Sequence, residues 1–94
     1  MPARDGAPRP IGALKNLGPK AVAALANVGI HDEAALRAVG PVAAYRRLKQ
    51  ARPRQVTRVF LYALHGALTD THWNELPADL KAALVAEAEG PGSR

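Results

Sequence analysis

Two glycine–proline pairs, Gly18-Pro19 and Gly40-Pro41, constrain this chain more than any other feature. Glycine ends a helix at little cost, because it adopts the left-handed backbone freely. Proline opens the next one, where its missing N–H has no intrahelical partner to lose. Each pair therefore rules out one long helix and writes a tight junction between two short ones. Around the junctions apolar residues recur at helical spacing, and no stretch shows the alternation of a half-buried strand. The expected fold is all-α, a small bundle of five to six short helices.

The elements follow from the same punctuation. A first short helix is expected over residues 11–15, stopped at Gly18, and Pro19 opens a second that runs to about Asn27 and ends at Gly29. Asp32 suits the N-cap of a third helix through Val39, closed by Gly40. Pro41 opens a fourth to about Gln50, with Val42, Tyr45 and Leu48 inward and Arg46, Lys49 and Gln50 outward. Pro53 is expected to open the longest helix, reaching Leu68. Its stripe of Val56, Phe60, Ala63, Leu64 and Ala67, widened by Val59, Leu61 and Leu68, marks it as central. A short turn carries Trp73, and Pro77 starts a last amphipathic helix with Leu80, Leu84 and Val85. Phe60, Leu64 and Trp73 are expected to be buried; for Trp73 a core plug competes with an interface anchor.

The ends differ from the middle. Residues 1–10 carry three prolines and no apolar period, and residues 90–94 read GPGSR, so both are expected to be tails around a domain at 11–89. A core built on so few positions, with few aromatics, depends on well-matched helices. The chain has no cysteine, which excludes disulfides and thiolate metal sites. The longest apolar runs have six residues, as in AVAALA, against the ~20 that span a bilayer. No apolar h-region follows the N-terminal arginines, so no secretory signal is expected and the expected location is cytoplasmic.

The formal net charge of +5 is unevenly spread. Between Ala34 and Thr69 there is no acid, while Arg37, Arg46, Arg47, Lys49, Arg52, Arg54 and Arg58 all fall there. From Asp70 to Glu89 five acids face Lys81 alone. Such polarity steers a molecule toward an anionic partner; the competing account is that these are ordinary solvated helix residues.

The segment LKNLGPKA at 14–21 returns as LRAVGPVA at 36–43, 22 residues later. Two copies of one helix–turn–helix unit would bury each other's apolar faces, as in paired helix-hairpin-helix domains, although the stop-and-start rule could write both turns independently. A helix-hairpin-helix holds nucleic acid through backbone N–H groups at the hairpin, with the helix dipole and a nearby lysine favouring phosphate. Its common pattern is glycine, apolar, glycine, with alanine four residues further on. Here those places hold Asn16, Leu17, Gly18 and Val22. Asn16 can supply the left-handed conformation, Pro19 removes one amide donor, and Lys15 and Lys20 add charge. The second copy has Val42 in place of Lys20, which marks it as structural. The candidate phosphate or DNA contacts are Lys15, Asn16, Gly18, Lys20, Arg46, Arg47, Arg54 and Arg58, with the arginines expected to carry more of the binding than the hairpin.

Catalysis finds no constellation. Ser93 lies in the C-terminal tail, and His31, His65 and His72 have no metal-ligand spacing, so neither an enzyme nor a metal or cofactor is expected. His65 is expected to be structural, and His72, just before Trp73, to cap a turn or bond the backbone.

Residues 11–88 resemble the C-terminal domain of the TfoX/Sxy family, regulators of bacterial competence and DNA transformation. LKNLGPKAVAALANVGI, ALRAVGPVAAYRRLK and LYALHGALTDTHWNELP carry the resemblance, and the GAL…HW stretch is the most specific, because no generic helix-hairpin-helix demands it. The first stretch is similar, more loosely, to the C-terminal domain of the RNA polymerase alpha subunit, which contacts DNA and transcription factors. The resemblance implies an all-helical bundle containing a helix-hairpin-helix-like unit. In that family the domain usually follows an α/β domain, so a stand-alone copy implies an adaptor or a divergent relative. Three functions follow as expectations: an adaptor meeting transcription machinery or a DNA-bound regulator, with the acidic C-terminal helix as a docking face; a weak, sequence-independent binder of duplex DNA; or a structural or oligomerisation domain. A monomer or weak homodimer is expected.

Overall fold

A computed structural model describes residues 9–89. It contains five α-helices, α1 (Pro19–Asn27), α2 (Glu33–Val39), α3 (Pro41–Ala51), α4 (Arg58–Thr69) and α5 (Ala78–Glu89). Two 3₁₀ turns, Ile11–Ala13 and Trp73–Glu75, precede α1 and α5. No strand forms among the described residues, and the fold is all-α as expected. Of the expected tails, residues 1–8 and 90–94 lie outside the described residues. Arg9 and Pro10 are held in place: the Glu33 N–H donates to the Arg9 carbonyl at 2.8 Å, and the Arg9 guanidinium pairs with Glu33 at 3.1 Å.

The expected junctions form where glycine and proline stand. Past α1, Gly29 takes φ +84°, which lets the Ile30 N–H reach back to the Leu25 carbonyl at 2.9 Å and closes the helix. Asp32 caps α2, its side chain accepting from the Ala35 N–H at 2.8 Å. Gly40, at φ +88°, ends α2 and starts α3 within one residue.

Two elements differ from the reading of the sequence. The first helix is a single 3₁₀ turn at Ile11–Ala13, after which Leu14 is extended at φ −84°, ψ 147°. Five residues give too few bonds to offset helix nucleation, and the extended Leu14 with the turn after it buries both Leu14 and Leu17. The central helix begins at Arg58, five residues after Pro53. Arg52, restricted by the following proline, leaves the helical region, and 53–55 form a turn on its carbonyl. Lys49 holds the Val56 carbonyl at 2.7 Å, so Val56 is buried from the loop and not from the helix.

The core runs through all five helices. Leu25, Ile30, Leu36, Leu48, Leu61 and Leu64 are fully buried, each stabilising the fold by roughly 1.5–3 kcal/mol. α4 lies at the centre, packed on α3, α5 and the second 3₁₀ turn. Leu64 is buried as expected, but Phe60 and Trp73 are only half-buried. Trp73 packs on the edge of the core, its ring stacked on His72 and faced by the Lys81 ammonium at 5.5 Å.

Candidate functional site

The hairpin before α1 is built by Asn16 and Gly18 in different ways. Asn16 takes the left-handed backbone, φ +74°, that its position calls for. Gly18 is extended at φ −101° and precedes Pro19, the first residue of α1. No side chain caps that helix. The first intrahelical bond runs from the Val22 N–H to the Gly18 carbonyl at 3.0 Å, so the N–H groups of Lys20 and Ala21 have no acceptor within the helix. Lys15, Gly18 and Lys20 are exposed.

The Asn16 side chain turns into the fold. Its Nδ2 donates to the Thr71 carbonyl at 2.9 Å and the Ala63 carbonyl at 3.4 Å, and its Oδ1 accepts from the Trp73 N–H at 3.2 Å. Asn16 therefore ties the hairpin to the end of α4, and its side-chain donor and acceptor are both engaged within the fold. Sequence reasoning did not find this bridge, although its far end is the GALTDTHW stretch, whose special composition was visible.

The two sequence copies are not the same turn. In the first, the positive φ belongs to Asn16, two residues before Gly18; in the second it belongs to Gly40 itself. A complete helix leads into the second copy and a single 3₁₀ turn into the first, so equal letters close different geometries.

The basic residues also divide. Arg46 crowns the end of α5: its Nε donates to the Ala88 carbonyl at 3.2 Å and its Nη2 to the Glu87 carbonyl. A cation there complements the negative end of the helix dipole. Arg58 pairs with Glu89 at 2.9 Å, and Glu89 also accepts from the Tyr45 hydroxyl at 3.3 Å. Arg46, expected to point outward, and Arg58 thus hold α5 to α3 and α4. Arg47 and Arg54 are exposed and make no ion pair among the described residues. Arg47 lies beside α5, whereas Arg54 lies with Arg52 and Asn27 near the end of α1. Arg54 thus adjoins the Lys20 side of the surface through Asn27, Arg52 and Gln55, whereas Arg46, Arg47 and Arg58 gather around the end of α5.

The ion pairs shift their carboxyls. Hydrogen bonds from Arg9 and then Arg37 hold Glu33 down at about 2. Arg58 lowers Glu89, and burial, with Glu89 nearby, raises Tyr45. His72 caps the second 3₁₀ turn as expected, its Nδ1 accepting from the Asn74 N–H at 3.1 Å. Among the described residues, no group of three or more His, Asp or Glu could hold a metal ion, and no helix is long and apolar enough to cross a membrane.

Between the hairpin and the start of α4 lies an open cavity of about 620 Å³. Leu17, Pro19, Val59, Phe60 and Ala63 line it, with Lys20 at one side. Lys20 and Phe60 also line a second cavity of about 660 Å³, whose wall carries Asn27, Arg52 and Gln55. Val59 is 43% exposed, the most exposed large apolar side chain among the described residues.

The TfoX C-terminal domain model matches residues 7–88, from the segment before the first 3₁₀ turn to the penultimate residue of α5. The chain belongs to the TfoX C-terminal domain family. The crystal structure of an uncharacterized protein from Listeria monocytogenes is similar over 86% of this chain and 94% of that one, at 28% identity and a TM-score of 0.77. No curated protein matches the chain. Family membership associates this TfoX C-terminal domain with competence-related regulation.

Proposed function

We propose that this domain is a non-enzymatic cytoplasmic adaptor, linked to transcription or competence, that acts by protein contact with the transcription machinery or a DNA-bound regulator. The observation that carries the reading is the division of the surface. The hairpin presents an apolar cavity with an exposed valine at its edge, while Arg46 and Arg58 already hold α5. Exposed apolar surface beside positive charge suits a protein partner better than a sugar-phosphate backbone.

A second reading keeps direct DNA contact. The N–H groups of Lys20 and Ala21, beside the exposed Lys15 and Lys20, suit one phosphate. With Pro19 lacking an N–H and Arg46 and Arg58 engaged at α5, this contact is weak, salt-sensitive and blind to sequence.

The test is co-purification of the tagged domain with transcription machinery from its host, before and after nuclease digestion of the DNA. An adaptor stays bound after digestion. Complete release on digestion favours the DNA reading, and absence of any association refutes both.

A further inference from the structure

We infer that the paired cavities between the hairpin and α4 form a docking groove for an acidic amphipathic segment of a partner protein. The assignment rests on protein contact being how the domain works, and it specifies the partner's chemistry.

The groove has two halves joined at Lys20 and Phe60. One half is mostly carbon, from Leu17, Pro19, Val59 and Ala63 with the Phe60 ring, and Thr57 and Lys20 are its polar members alongside the inward-turned Asn16. Its volume, about 620 Å³, falls in the range that takes up bulky apolar groups. The other half carries Lys20 and Arg52, with Gln55 and Asn27 as neutral polar neighbours. No acidic residue lines either half. An occupant must therefore bring apolar side chains to one half and carboxylates to the other. A helix with leucines at i, i+3 and i+4 and glutamates flanking them does both.

Charge complementarity alone would also admit nucleic acid, and the carbon wall decides against it. A phosphate backbone needs donors along its path; Lys20, Ala21 and Thr57 supply a few, enough for one phosphate, but the wall at Leu17, Val59, Phe60 and Ala63 offers none from its side chains. Desolvating that wall rewards an apolar ligand and not a phosphate. The groove is also open without rearrangement, since Val59 stands out from the first turn of α4 and Lys20 from the first turn of α1.

The probe is a fluorescein-labelled synthetic helix peptide with a leucine stripe flanked by glutamates, read by anisotropy against the full chain. Controls are a peptide with lysines for the glutamates and a shuffled peptide of the same composition. The variants are Val59→Asp and Lys20→Glu, both acids in the first turn of a helix, where the dipole tolerates them; Val59→Ser removes the apolar contact without adding charge. Circular dichroism melts verify that each is folded. The acidic peptide should bind in the micromolar range, the controls far more weakly. Val59→Asp and Lys20→Glu should each weaken it about tenfold or more, and Val59→Ser by less.

Absence of peptide binding, or equal affinity in folded Val59→Asp, overturns the assignment. So does displacement of the peptide by unlabelled duplex DNA, or a dimer that Val59→Asp dissolves, because the groove then takes nucleic acid or a second copy. The adaptor reading fails separately. Retention of the domain on nuclease-treated machinery without peptide binding leaves that reading standing and removes the groove. Peptide binding without retention does the reverse.

Discussion

Asn16 reaches the end of α4 through the space that Gly66 leaves empty. A Cβ built on Gly66 would overlap the Thr71 carbonyl and sit 2.5 Å from the Asn16 Nδ2. Gly66 has no positive φ, so its lack of a side chain answers close approach and not backbone strain. The hairpin at 14–18 and the loop at 70–73 are thereby one structural unit, far apart in sequence. Its tightness fixes one edge of the groove, since Leu17 and Gly18 follow Asn16 directly.

Gly66→Ala should therefore destabilise the domain by ~1–3 kcal/mol, although alanine is the better helix former at an ordinary site. Asn16→Ala removes three hydrogen bonds and should also cost ~1–3 kcal/mol. The two residues meet in one place, so the double variant should be less destabilised than the sum by ~0.5 kcal/mol or more. Urea unfolding of the four proteins measures this. Additive effects would mean that Gly66 and Asn16 act independently.

The helices were legible because their boundaries are chemical: Gly29 and Gly40 close them, Asp32 caps one, and Pro19 and Pro41 open two. The first turn and the start of α4 were not, because tertiary needs decided them. Leu14 and Val56 enter the core from extended or loop backbone, and helical periodicity has no means of showing that. The charged surface was the least legible part. Composition showed a basic middle and an acidic end, but not that Arg46 and Arg58 close onto the end of α5. The Asn16 bridge was half visible: the left-handed turn follows from residue type, while the partners of its side chain lie 47, 55 and 57 residues away.

Leu64 offers the plainest check on the core. It is fully buried at the centre of α4, and Leu64→Ala should cost ~2–5 kcal/mol, a large share of a small domain's stability. A melting temperature within a degree or two of the parent, taken as roughly unchanged for a chain this size, would contradict the central position of α4.

Acid should loosen the fold in a definite window. Glu33, at about 2, and Glu89, lowered by Arg58, both bind protons more weakly folded than unfolded. Their contribution is present above the ordinary carboxylate range and is lost as pH falls through it toward 2. Melting temperature should be flat near neutrality and decline below about pH 5. Glu33→Gln should flatten part of that decline, and only part, because the pair is solvent-screened. Tyr45 acts in the opposite direction: its raised pKa makes stability fall as pH climbs above ~10. A Glu33→Gln variant with the parent's acid profile would show that the Arg9–Glu33–Arg37 cluster contributes nothing measurable.

Lys20 separates the two readings of the hairpin. If the N–H groups of Lys20 and Ala21 hold a phosphate, Lys20→Glu should weaken duplex DNA binding. The slope of log affinity against log salt should also shrink by roughly one unit for each phosphate no longer held. The arrangement of the surface favours a small effect. Pro19 withholds one donor, Asn16 turns its side chain inward, and none of Arg46, Arg47, Arg54 and Arg58 lines either hairpin cavity. Fluorescence titration with a short duplex at low and physiological salt should therefore find weak binding that nearly disappears at the higher salt. Arg47→Glu and Arg54→Glu should each reduce it at least as much as Lys20→Glu, since both guanidiniums are exposed and lack an ion pair among the described residues. Strong affinity at physiological salt that a folded Lys20→Glu variant abolishes would place the phosphate cradle at the centre of the function and reduce the groove to its flank.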